Sequence, residues 1–150
     1  MERFPVDIHT DGACSGNPGL GGYCGILVAG RKEKIVAGFA LKATNNSMEL
    51  KAVVEAVKAL NAPCSITVYT DSQYLCTCSK HDKDWFERAD RPNKDLWDEL
   101  IKVGNEGKHR IAFQKIKGHS GNTYNERCDK IAKDQIKIAR HVLLESIERR

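Results

Sequence analysis

Three strand-like segments joined by short, turn-rich connections, then a fourth reached only through a helix, restrict this chain to a mixed β-sheet. Residues 4–11 alternate: Phe4, Val6, Ile8 and Thr10 take one face, and Pro5, Asp7, His9 and Asp11 the other. That is the period of a strand. Gly12 and the run Gly16-Asn-Pro-Gly19 are strong turn signals, so the first strand is expected to close at Asp11. Residues 23–29 and 34–41 read as the next two strands, with Gly30-Arg-Lys as the turn between them. Such short links join antiparallel neighbours. The fourth strand, 65–70, is a β-branched run (Ser-Ile-Thr-Val-Tyr-Thr) that follows a helix. A helical crossover returns the chain parallel to a neighbour in the same sheet.

The helices are legible from capping and composition. Thr44-Asn-Asn-Ser47 opens one; residues 48–60 are rich in Ala, Leu, Glu and Lys, and Asn61-Ala-Pro63 ends it. One of Asn45 and Asn46 is expected to cap it. Residues 72–79 predict a short helix, 80–93 an irregular polar stretch, and 94–105 a helix with Leu96, Leu100, Ile101 and Val103 inside. Residues 110–116 predict a strand. From residue 125 the chain is helical to near its end, with Cys128, Ile131, Ala132, Ile136, Ala139, Val142 and Leu143 on one stripe. The order βββ-α-β-α-α-β-α is α/β: a five-stranded mixed sheet, three antiparallel strands plus two parallel, flanked by helices. A length of 150 residues fits one domain, with a core at about 4–139 and a helical extension at 140–150.

Four acids fall where a purely structural design avoids them. Asp11 and Asp71 each end a strand; if those strands are parallel neighbours, both carboxylates lie at the sheet end where open α/β sheets bind ligands. Glu49 begins the helical stripe that continues through Val53, Ala56 and Leu60, and Asp129 stands three and seven residues before Ala132 and Ile136. Each alone is explained as a first-turn acid facing a helix dipole. Four acids from four elements converging on one sheet end are not. Crowded carboxylates raise one another's pKa and call for a cation. An all-oxygen donor set suits Mg²⁺, or Mn²⁺ as a substitute. Paired ions favour in-line phosphoryl displacement, one activating the nucleophile and the other stabilising the leaving oxygen. His119, in the Gly-flanked Lys117-Gly-His-Ser-Gly121 after a strand, is a candidate proton shuttle.

The other chemistry-bearing residues offer less. Cys14, Cys24, Cys64, Cys76, Cys78 and Cys128 lack the C-x-x-C spacing of a zinc or redox site and read as reduced, mostly buried thiols. The net charge of +4 permits a nucleic-acid partner without requiring one. No apolar run approaches a membrane span, and no secretory signal precedes residue 4, so the expectation is a free-standing cytoplasmic monomer with no membrane partner.

These residues closely resemble ribonuclease H type 1. The resemblance rests on six blocks in order: Thr10-Asp-Gly-Ala-Cys-Ser-Gly-Asn-Pro-Gly19 with Gly21-Gly-Tyr23; Thr44-Asn-Asn-Ser-Met-Glu-Leu50; Thr70-Asp-Ser-Gln-Tyr74; Asp95-Leu-Trp97; Lys117-Gly-His-Ser-Gly121; and Asn125-Glu-Arg-Cys-Asp129. It implies the ribonuclease H-like fold and endonucleolytic hydrolysis of the RNA strand of RNA–DNA hybrids. The implied products carry 5′-phosphate and 3′-hydroxyl ends, and two Mg²⁺ ions act at the site with substrate bound. The implied metal acids are Asp11, Glu49, Asp71 and Asp129, with His119 as the catalytic histidine and Glu126 as an auxiliary residue in metal exchange or product release. Asn17, Asn45 and Gln73 match minor-groove positions, and Thr44 a DNA-phosphate pocket. A non-catalytic hybrid-binding module would be expected to lack one of the four acids. Integrase- or resolvase-like relatives lack the Asn17, Asn45 and Gln73 set.

One departure from the family matters. Many relatives carry a basic, Trp-rich protrusion before the Asp-Leu-Trp helix. Here residues 80–95 hold five basic side chains (Lys80, Lys83, Arg88, Arg91, Lys94) and five acidic ones (Asp82, Asp84, Glu87, Asp90, Asp95), for a net charge of zero. Trp85 and Phe86 are expected to anchor this segment to the core rather than stack on a sugar. Phosphate contacts supply most non-specific affinity, so hybrid binding is expected to be weaker than in protrusion-bearing relatives. Anisotropy titrations at matched salt check this; equal affinities refute it.

Overall fold

The computed structural model describes residues 1–117 and 123–148. Ten elements follow one another: β1 (Phe4–Gly16), β2 (Gly19–Ala29), β3 (Lys32–Ala43), α1 (Asn45–Lys58), β4 (Cys64–Thr70), α2 (Gln73–Cys78), α3 (Lys83–Glu87), α4 (Lys94–Glu106), β5 (Arg110–Lys115) and α5 (Thr123–Glu148). The sheet order is β3-β2-β1-β4-β5. β1, β2 and β3 pair antiparallel; β4 runs parallel to β1, and β5 parallel to β4. The mixed five-stranded sheet expected from the element order is therefore what forms.

β1 does not close at Asp11. It continues to Gly16, because β2 keeps pairing with it as far as Gly16 opposite Gly19. What ends near Asp11 is only the parallel ladder to β4, whose last pair is His9 with Tyr69. A glycine within an antiparallel ribbon weakens it without breaking it, so Gly12 did not end the strand.

Thr44 caps α1, not Asn45 or Asn46. Its hydroxyl accepts from Ser47 N–H at 3.1 Å, and Ser47 Oγ accepts from Thr44 N–H at 2.9 Å. This is a reciprocal capping box with serine in the third position. Behind the cap, Leu50, Val53, Val54 and Val57 are fully covered, packing with Val6, Ile8, Ile66 and Val68 of the sheet. α4 shares that face through Trp97 and Leu100. Ile101, expected inside, turns outward and is 40% exposed, and Trp97 is buried in the core in its place.

α5 covers the other face, where Cys24 and Ile26 of β2 pack on Cys128 and Ala132. Gly22 permits this approach: a Cβ there would lie 2.1 Å from Ala132 O. Nearer the start of α5, His9 stacks between Tyr69 and Tyr124 at ring separations of 5.1 and 4.1 Å. The expected inward stripe of α5 stops at Ala139; Val142 and Leu143 are exposed on a helix that runs on to Glu148. No helix among the described residues is long and apolar enough to cross a membrane. No described cysteine is in a disulfide.

The segment expected to be irregular holds the short helix α3, capped by Asp82, whose Oδ1 accepts from Trp85 N–H at 3.0 Å. Trp85 and Phe86 both meet Trp97 edge-on, which ties the segment to the core. Arg91 is the hub, with a side chain 1% exposed. Its guanidinium donates to Phe86 O, Lys94 O and the Asp98 carboxylate, and lies 5.7 Å from the Trp85 and Phe86 ring centres.

Arg91→Met strips two carbonyls of their donor and is expected to lower unfolding free energy by about 1–3 kcal/mol. Arg88→Met, which removes a surface pair with Asp90, is expected to stay within about 0.5 kcal/mol of the parent. Urea titration of the two variants checks the contrast.

Candidate active site

The register of β1 on β4 builds the site. The last parallel pair is His9 with Tyr69, and Asp11 and Asp71 each stand two residues beyond it. Both carboxylates therefore emerge together where the two strands part. α1 brings the third. Its first turn rests directly on Gly12, where a Cβ would lie 2.5 Å from Glu49 N and 2.7 Å from Met48 C. Only glycine lets the helix start this close, which sets the Glu49 side chain against Asp11.

Asp11, Glu49 and Asp71 each offer an oxygen within 4.8 Å of the others. Asp11 is 6% exposed, and one of its oxygens accepts from Gly12 N–H at 2.9 Å. Burial pushes the Asp11 carboxyl up to about 7. A hydrogen bond with Glu49 opposes that rise, and the negative charge of Asp71 and Asp129 adds to it. Glu49 is held well above the ordinary carboxyl range, first by burial, then by the charge of Asp11. Glu49 Oε2 is covered and has no hydrogen-bond partner among the described residues. A buried acceptor left without a donor is costly. Hard oxygens packed this tightly, one of them unsatisfied, fit a Mg²⁺- or Mn²⁺-like cation.

The fourth acid stands slightly apart. Asp129 lines the same cavity as the other three, but its carboxylate pairs with Lys133 Nζ at 2.9 Å, one turn further along α5. Asn45 and Gln73 line the cavity too. Asn17, in the β1–β2 link, accepts from Asn45 N–H at 3.3 Å through Oδ1, so these two predicted substrate residues are joined. Thr44 spends its hydroxyl on the α1 cap. Glu126 is exposed on the first turn of α5, outside the cavity formed by the described residues. His119 lies outside the described residues.

Sequence reasoning missed Asn46, Ser72 and Tyr74, which also line the cavity. Tyr74 Oη accepts from Trp97 Nε1 and Asn93 Nδ2, both at 3.0 Å, and so ties α2 to α4. Its place directly after Gln73 carried no signal of that role. Lys133 could have been found, since i,i+4 acid–base pairs are readable on a helix.

Comparison with known proteins places this geometry. The RNase H family model matches residues 4–137. A Thermoanaerobacter ribonuclease H is 43% identical over 141 residues, spanning 88% of this chain and 90% of its own. One from Acetivibrio thermocellus is 46% identical over 141 residues, spanning 88% and 95%. Among solved structures, LC11-RNase H1 in complex with RNA/DNA hybrid has a TM-score of 0.73 at 20% identity, covering 89% of this chain and 98% of that one. RNase H1 from Halobacterium salinarum gives 0.68 at 23%, with the same coverage. At such identities the likeness is one of fold.

Crowding gives the site a pH signature. Raised carboxyl pKa values stabilise the fold below the unfolded values near pH 4, and that contribution is lost as pH rises through neutrality. Metal-free protein is therefore expected to melt lower at pH 8 than at pH 5.5 on account of this pair. Asp11→Asn should raise the metal-free Tm at pH 8 by several degrees, at about 2–4 °C per kcal/mol. Mg²⁺ at about 100 times its Kd at pH 8 should stabilise the parent by about 2.7 kcal/mol there, and the same concentration should stabilise it less at pH 5.5. Calorimetric scans in EDTA and in Mg²⁺ check both signs.

Proposed function

The chain belongs to the RNase H family, and from that premise we propose that it hydrolyses the RNA strand of RNA–DNA hybrids with two divalent cations, leaving 5′-phosphate and 3′-hydroxyl ends. As a ribonuclease H it is a nuclease, a phosphodiester hydrolase. What carries the finer reading is the set of three carboxylates from β1, α1 and the end of β4, with ligand oxygens within 4.8 Å, and a buried Glu49 oxygen that has no partner among the described residues.

Asp11, Glu49, Asp71 and Asp129 would hold the cations, Mg²⁺ or Mn²⁺ in its place. Bound there, such ions supply Lewis-acid stabilisation of the charge that builds at the scissile phosphate. The chain itself does the rest. Asp11 and Glu49, whose carboxyls burial raises, would offer their oxygens as carboxylates, and Asp129, now paired with Lys133, would complete the set. The Asn17–Asn45 pair and Gln73 present amides to the minor groove, where amide groups meet 2′-hydroxyls and so separate RNA from DNA. Thr44 stands at the start of α1, where the positive end of the helix dipole attracts a DNA phosphate. His119 is assigned proton transfer and Glu126 the easing of metal exchange or product departure, both from their sequence positions. The same reading takes residues 1–150 as one unit acting as a monomer in the cytoplasm.

Asp11→Asn keeps the shape and removes a ligand. It is expected to cut turnover by about a thousandfold or more, the equivalent of several kcal/mol of lost stabilisation. Hybrid affinity should stay close to that of the parent. End-labelled hybrid, duplex RNA and duplex DNA incubated with Mg²⁺, Mn²⁺ or EDTA read substrate class, metal need and product ends together. Undiminished turnover by the Asn variant overturns the assignment of Asp11.

A further inference from the structure

We propose that Lys115 is a positioning residue for RNA discrimination, fixing which end of the Gln73 amide meets the nucleic acid; this rests on the reading of Gln73 as a minor-groove contact. The two ends of a glutamine amide are alike in shape and opposite in chemistry: Oε1 only accepts and Nε2 only donates. Lys115 Nζ lies 3.0 Å from Gln73 Oε1. An ammonium carries three donors and no lone pair, so it tolerates only the oxygen there. A flipped amide would set N–H against N–H. At the other end, Gln73 Nε2 donates to Thr77 Oγ1 at 2.9 Å, one turn along α2.

Clamped from both sides, the amide keeps one Nε2 hydrogen and one Oε1 lone pair free, on an exposed side chain at the mouth of the carboxylate cavity. A ribose 2′-hydroxyl both donates and accepts, so it matches that edge. A deoxyribose offers neither group.

The fold delivers Lys115 by strand register. It is the last residue of β5, paired with Thr70 of β4, and Thr70 immediately precedes Asp71. Ile116 N–H donates to Thr70 O at 2.9 Å, which holds the end of β5 in place. The ammonium has no carboxylate partner among the described residues, so the Gln73 oxygen is its fixed acceptor.

The test uses Lys115→Met, Lys115→Arg, Gln73→Ala and the double variant Lys115→Met with Gln73→Ala. Steady-state kinetics on hybrid are read beside anisotropy titrations of hybrid and matched DNA duplex. Lys115 is exposed, and thermal melting confirms that each variant folds. Lys115→Met is expected to raise KM for hybrid about threefold to tenfold, the size of one charge-assisted hydrogen bond at a surface, with kcat held within about twofold. The ratio of hybrid to DNA-duplex affinity should fall by the same factor, Lys115→Arg should restore both, and Lys115→Met should add nothing to Gln73→Ala.

Three outcomes overturn the proposal. Additive losses in the double variant, with the salt slope of hybrid binding falling by about one, make Lys115 an independent phosphate contact. A loss for Gln73→Ala with none for Lys115→Met removes Lys115 and leaves the role of Gln73 standing. Parent-like behaviour of Gln73→Ala removes the underlying reading of Gln73, and the proposal with it.

Discussion

Mutual repulsion among three carboxylates is the constraint around which the fold is arranged. Asp11, Glu49 and Asp71 would separate if they were free, since like charges at this range in a dry pocket are costly. They stay together because each is fixed by something stronger than the repulsion. Asp11 and Asp71 are set by the parallel β1–β4 ladder, and Glu49 by a helix whose apolar face is fully buried. Gly12 removes the one side chain that would hold α1 away from β1. The stability that the site gives up is supplied by the core behind it, as in other proteins where strain gathers at functional positions.

Much of this was legible in the sequence, for identifiable reasons. The element order could be read because short turns, β-branched runs and cap residues are local signals. The convergence of Asp11 and Asp71 was readable on condition that their strands are neighbours, since a helical crossover returns β4 parallel to a strand of the sheet; the pairing with β1 meets that condition. The errors lie where tertiary contact overrides local preference. Gly12 looked like a strand end, but the β1–β2 ribbon runs through it to Gly16. Asn45 and Asn46 looked like caps, yet Thr44 precedes both with its hydroxyl in reach of Ser47 N–H. Ile101, expected inside, is exposed, while Trp97, which carried no expectation, is buried, because four residues of periodicity cannot say which edge of a helix meets the sheet. Contacts such as Lys115 with Gln73 join residues 42 apart and leave no trace in either segment.

The segment between α2 and α4 shows how a region without net charge can still be ordered. Arg91 spends its charge inward, on two carbonyls, Asp98 and two aromatic rings. Trp85 and Phe86 are committed to Trp97. Cation and rings of this kind would serve a nucleic-acid grip if they faced outward. Here they hold α3 on α4, so affinity for a polyanion has to come from elsewhere on the surface.

The separation of Asp129 from the other three acids follows from the same electrostatics. It sits on the first turns of a helix, and the residue one turn on is Lys133, so its charge is answered from its own element. Asp11 and Glu49 are instead held above the ordinary carboxyl range, first by burial and then by neighbouring negative charge, and the Gly12 N–H opposes that rise only in part. An exposed i,i+4 pair contributes only about 0.3–0.5 kcal/mol, little against the attraction of a divalent ion. Lys133 therefore pairs with Asp129 without holding it back, whereas a cation at the buried pair competes with the proton that burial favours there. Metal affinity of the site is for that reason expected to rise with pH through Asp11 and Glu49.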